Sequence, residues 1–69
     1  MNEGERKLCE WQYELSGSFY STLFKAMSCA DYMNLSRLEM GFPEEVEAFR
    51  RFSNESGYWE SLQKEFRSQ

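Results

Sequence analysis

The stretch FPEEVEAFRRFSNESGYWE, residues 42–60, decides the fold. Pro43 suits the first turn of a helix, where the N–H it lacks is not needed. Glu44, Glu45 and Glu47 follow at the positive end of the helix dipole, and Arg50 and Arg51 come at its negative end. Phe42, Val46 and Phe49 share one face with Phe52 beside it, and Glu47 stands four residues before Arg51 in the favourable order. Ser53 to Gly57 is a turn by composition. Tyr58 then opens a last short helix, to Phe66, in which Trp59, Leu62 and Phe66 step i, i+3, i+7. Helix, turn and helix succeed one another closely, so the expected unit is a short helix ended by a tight turn.

The same grammar reads backwards from Gly41, which sits where a left-handed C′ residue belongs. It closes a helix from Tyr32 to Met40 whose natural N-cap is Asp31 and whose apolar face is Met33 or Leu35 with Leu38. Phe19 to Ala30 forms the helix before it, with Phe19, Leu23, Met27 and Ala30 in one stripe, widened by Tyr20 and Phe24. A single longer helix through Asp31 is the alternative. Ser16-Gly17-Ser18 reads as a break, with Gly17 left-handed and Ser18 capping the next helix. A kinked continuous helix stays open there, because Gly inside a helix costs only about 1 kcal/mol. The first helix runs from about Glu5 to Leu15, with Leu8, Trp11 and Leu15 on one face.

Val46 is the only Val and there is no Ile, while Leu, Met, Glu, Ala, Lys and Arg fill the non-aromatic positions. That chemistry makes helices rather than strands. The expected fold is all-α: a compact bundle of four to five short helices joined by tight turns, with residues 1–69 forming one domain. So short a chain has a marginal core. Two Trp, four Tyr and six Phe are its main stabilising resource, at ~150–250 Å² per buried ring. Some of the twelve should remain at a groove or subunit contact.

The chain has no His and only two Cys, Cys9 and Cys29, twenty positions apart. A His-ligated metal, and Ser-His or Cys-His catalysis, are therefore excluded. Glu44, Glu45 and Glu47 diverge around a helix by about 100° per residue, too widely to converge on a hard cation. No phosphate-binding loop is present. The expectation is a non-enzyme, with no catalytic residue, no metal and no cofactor. MNEGERKLCEW contains no apolar run and no stretch is long enough to span a bilayer, so no leader and no membrane partner are expected. Both thiols are expected to be reduced and buried, a bridge being the alternative.

The net charge of −4 is unevenly laid out. Residues 1–17 and 42–55 each carry four acids against two bases, whereas residues 18–41 and 56–69 balance. No basic block exists, which disfavours nucleic acid as a partner. The helix rules leave unexplained a corner of Arg50, Phe52, Tyr58 and Trp59 around one turn. With Trp59 on the inner stripe, Tyr58 should point elsewhere, across Phe52 or into solvent. Exposed aromatics beside Arg are common binding anchors, so these four residues are the candidate interaction surface.

From Gly17 to Leu62, two thirds of the chain, the sequence resembles small helical proteins encoded by bacteriophages and integrated mobile elements of bacteria. The shared pieces are Gly17-Ser18-Phe19-Tyr20, Ala30-Asp31 with Asn34, Phe42-Pro43-Glu44, and Asn54-Glu55 with Gly57-Tyr58-Trp59. These are caps and aromatics, so the resemblance implies a fold and an origin, an accessory protein in a bacterial cytoplasm, and no site residues. The expected function is a protein-protein interaction module binding either itself, as a homo-oligomer, or a host or phage protein. The alternative is a nucleic-acid-associated regulator of helix-turn-helix type that gathers Arg37, Arg50, Arg51, Lys64 and Arg67.

Overall fold

A computed structural model describes residues 1–68, which form five helices: α1 (Glu3–Gln12), α2 (Ser18–Ser28), α3 (Tyr32–Gly41), α4 (Pro43–Asn54) and α5 (Tyr58–Arg67). No strand occurs among the described residues. Helices this short are marginal alone, so each depends on its packing. α4 is the centre: α1, α2, α3 and α5 all lie against it. Phe24, Leu8, Met27, Val46 and Cys9 are fully buried around it, joined by Leu23, Ala48, Tyr58 and Leu62. The Cα envelope is a slab, 35 × 26 × 17 Å. Its thin dimension is under two helix spacings of ~8–10 Å, so most helices keep one flank in solvent.

α1 begins earlier than its apolar spacing predicts. Asn2 Oδ1 accepts from the Glu5 N–H at 2.7 Å, and Glu5 Oε1 accepts from the Asn2 N–H at 3.0 Å. This reciprocal capping box fixes the start at Glu3. α1 also ends earlier, at Gln12 rather than Leu15. Glu14 takes a left-handed conformation, φ 58°. The Glu14 N–H bonds to the Trp11 carbonyl at 3.1 Å and the Leu15 N–H to the Glu10 carbonyl at 2.7 Å, a complete Schellman stop. Leu15 is thereby thrown into solvent, 68% exposed, and Cys9 takes its expected place on the buried face. Gly17 is extended, at φ −73° and ψ 176°, and occupies the N-cap position of α2 with Ser18 as its first helical residue. Glu14, not Gly17, supplies the left-handed break, and α1 and α2 are separate helices.

Asp31 caps α3 as expected, its Oδ1 accepting from the Asn34 N–H at 2.8 Å, and this divides α2 from α3. Gly41 is the last residue of α3 and is not left-handed; Phe42 alone, at φ −134°, joins α3 to α4. Pro43 opens α4. Gly57, at φ 87°, makes the left-handed turn into α5.

The aromatic rings organise into strings. Phe66 stacks on Tyr13 at 5.5 Å, Tyr13 meets Trp59 at 5.9 Å, and Trp59 meets Phe52 edge-to-face at 5.5 Å. These four tie α5 and α4 to the end of α1. Trp11 stacks on Phe24 at 5.1 Å, joining α1 to α2. On α2 the deepest residue is Phe24, with Leu23 and Met27, while Phe19 at the head of the expected stripe is exposed. The expectation of two buried thiols is corrected: both cysteines are free, but only Cys9 is buried and Cys29, the C-cap of α2, is exposed.

One close approach holds the centre together. Gly4, in the first turn of α1, lies against the main chain of Glu44 and Glu45, where a Cβ would find no room. The absent side chain lets α1 rest on the start of α4, and so brings Leu8 and Cys9 into the same buried cluster as Val46 and Ala48.

Candidate functional site

The structure points the four candidate residues in three directions. Arg50 reaches from α4 to α3, its Nη1 2.7 Å from Glu39 Oε1, and so fastens those helices together. Phe52 and Trp59 are half-buried in the aromatic string that runs from Phe66. Tyr58, expected to point away from the core, is 7% exposed, and its hydroxyl donates to Glu5 Oε2 at 2.8 Å. It can turn inward because α5 buries Tyr58 with Leu62, one turn apart, and leaves Trp59 and Phe66 on the flank. Glu5 thus joins two helices: Oε1 closes its own capping box while Oε2 receives Tyr58 of α5.

An open depression of about 450 Å³ lies beside this turn, lined by Glu5, Arg51, Glu55, Tyr58, Ser61 and Glu65 among others. Its charged groups already have partners. Arg51 sits 2.9 Å from Glu55 and 4.2 Å above the Tyr58 ring, and Glu65 is 2.9 Å from the Met1 amino group. Burial, then the bond to Glu5, pushes the Tyr58 phenol well above its ordinary range. It is a fixed proton donor rather than a base. Burial, reinforced by Glu5 and Glu65, likewise raises the Cys9 thiol to about 11. At neutral pH it is a protonated core group, and the thiolate is the reactive form. No group of three or more potential metal-binding side chains occurs among the described residues.

The exposed apolar surface lies elsewhere. α3 has no buried residue at all. Leu35 and Leu38 are half-buried toward the core, while Tyr32, Met33 and Met40 are 80%, 64% and 87% exposed. At about 100° per residue, the Met33–Met40 stripe is on the opposite side of α3 from the Leu35–Leu38 stripe. On the α2 side of α3 runs a cleft of about 420 Å³ between Ala26, Cys29 and Ala30 on one bank and Asn34, Arg37 and Leu38 on the other. Exposed Phe19 lies against Phe42, at the α3–α4 joint, with ring centroids 5.9 Å apart.

Sequence reasoning names Met33 only as an alternative inward residue and attaches no site to Met40. The available signal is that α3 carries two apolar stripes on opposite sides, of which a helix on the rim of a bundle can bury only one. No helix among the described residues is long and apolar enough to cross a membrane. Compared with protein families, with curated proteins and with solved structures, the chain finds no significant match.

Proposed function

We propose that this chain is a non-enzymatic protein-interaction module that docks through the outer face of α3. The observation that supports it is a helix with no buried residue that turns three large hydrophobic side chains, Tyr32, Met33 and Met40, outward, all well over half exposed. Patches of this kind mark interaction sites on small proteins, and Met adapts readily to a partner's shape. The corner of Arg50, Phe52, Tyr58 and Trp59 becomes a brace for the bundle in this reading. The resemblance to small phage and mobile-element proteins supports a bacterial cytoplasm as its setting, where the partner is this chain itself or a host or phage protein.

Binding to nucleic acid has less support. Arg50 and Arg51 are engaged by Glu39 and Glu55, and Arg67 bonds to its own helix at the Gln63 carbonyl, which leaves less free cationic surface for phosphates. The test uses two baits in a bacterial lysate, the natural chain and Met33→Glu with Met40→Glu. The module should retain a partner that the double variant loses. Identical captures by the two baits, together with identical self-association, would refute the assignment.

A further inference from the structure

Resting on that reading of the α3 face, we infer that its occupant is a second copy of this chain, packed about a twofold axis with the two α3 helices antiparallel. Charge points to this occupant first. Residues 18–41, which make α2 and α3, carry Lys25 and Arg37 against Asp31 and Glu39 and are neutral. Residues 1–17 and 42–55 hold the whole excess of −4. Two copies that meet through the neutral α2–α3 segment bring no excess of like charge together, whereas copies that meet through α1 or α4 would. α5 is also neutral, but its open depression is lined by groups already paired, Arg51 with Glu55 and Glu65 with the Met1 amino group, rather than by exposed apolar side chains. A strongly basic partner would be drawn to the acidic helices rather than to α3.

Spacing points the same way. A twofold interface requires each patch to complement itself. Met33 and Met40 are seven residues apart on one stripe, with the small Ser36 between them. In an antiparallel pair centred beside Ser36, Met33 of each copy meets Met40 of the other, and Ser36 lets the helices approach. Tyr32 of each copy then falls next to Met40 of the second copy, a favourable thioether–aromatic contact. Arg37 borders both this stripe and the cleft toward α2, which has room for side chains of a neighbouring helix.

The area suits a weak dimer. Tyr32, Met33 and Met40 expose together about 350 Å², taking ~150 Å² for each fully exposed side chain. Even with Ser36 and Arg37 beside them the patch stays below the ~600 Å² per partner of the smallest stable interfaces, so the dimer is a weak one.

Sedimentation equilibrium over roughly 5–500 µM, below and above the Kd expected of such an interface, tests the inference. The natural chain should rise from 8.3 kDa toward twice that mass and level off. Met33→Glu with Met40→Glu should stay at 8.3 kDa with an unchanged helical circular-dichroism spectrum. Leu15→Glu, which alters an exposed apolar residue elsewhere, should associate like the natural chain. A natural chain that stays at 8.3 kDa throughout overturns the inference, as does a double variant that dimerises normally or a mass that climbs past the dimer without a plateau. If the natural chain stays monomeric while lysate capture still depends on Met33 and Met40, the interaction reading stands and only the second copy falls.

Discussion

Replacing Gly4 with Ala sets two opposing effects against each other at one site. Gly within a helix is worse than Ala by about 1 kcal/mol, so propensity alone favours the change, by less in a first turn. Sterics oppose it. The new Cβ would stand 2.5 Å from the Glu45 backbone nitrogen and against the Glu44 carbonyl group, whereas ordinary contact begins near 3.4 Å. Main-chain atoms cannot rotate aside, so α1 must withdraw from α4 by roughly 1 Å, and a gap of that size forfeits up to about half of each affected attraction. The packing at risk is that of Leu8 and Cys9 in the core cluster with Val46 and Ala48. Overpacking of this kind costs about 1–3 kcal/mol, and the looser fit of a withdrawn helix adds to it, so a net loss of about 2 kcal/mol is expected. A domain this size holds only ~3–10 kcal/mol in all, and the loss lowers Tm by roughly 8–16 °C. Urea unfolding followed by helical circular dichroism reads it directly, with Gly41→Ala as control, since that helical position opens onto empty space and should gain up to about 1 kcal/mol. If Gly4→Ala unfolds at the same urea concentration as the natural chain, or a higher one, the close approach of α1 to α4 is wrong.

Three other expectations rest on the same structure. Glu14→Gly should stabilise the domain by about 1 kcal/mol, because Glu14 bears the left-handed conformation of the Schellman stop that Gly adopts freely; a lower unfolding midpoint would contradict that stop. The Tyr58 phenol is held protonated in the folded state, above its ordinary value of 10.0. Its stabilising contribution is therefore complete below that pH and declines as pH rises past it, when the unfolded chain releases the proton. Stability measured up to pH 11 should fall more steeply for the natural chain than for Tyr58→Phe, and parallel curves would remove Tyr58 from the buried position. Finally, a thiol reagent at pH 8 should modify Cys29 at once and Cys9 only after unfolding. Rapid reaction of Cys9 in the Cys29→Ser variant would show that the core opens.

The elements visible in the sequence are those whose signals are local. The near absence of β-branched residues, Asp31 before α3 and Pro43 at the head of α4 each act through neighbours a few positions away. The acidic start of α4 belongs with them. The hidden features depend on partners distant in sequence or on an unusual residue in a familiar role. The end of α1 escapes its apolar spacing because Glu, not Gly, occupies the left-handed position; its start escapes because the Asn2–Glu5 capping box lies ahead of the first apolar residue. Gly41 and Gly17 resemble left-handed stops, but Gly41 stays helical with Phe42 joining α3 to α4 at φ −134°, and Glu14 rather than Gly17 is left-handed. The interaction corner fails to gather because Tyr58 has Glu5 and Arg50 has Glu39, and neither pairing shows in local spacing. The α3 surface is hidden for a related reason: periodicity finds an apolar stripe but does not say which of two opposite stripes meets the rest of the bundle.

The hydrogen bond from Tyr58 to Glu5 spans 53 residues, and so ties the first helix to the last. α1 rests on α4 through Gly4 and on α5 through Glu5, so the earliest helix in the chain is held in part by the last. The entropy of closing so long a loop grows only as about (3/2)RT ln n, so distance itself adds little. The stronger consequence is cooperativity. α1 and α5 should open together, their slowest amide hydrogens reporting one common opening free energy, whereas α3, held to α4 by the Arg50–Glu39 pair and by half-buried Leu35 and Leu38, can open separately.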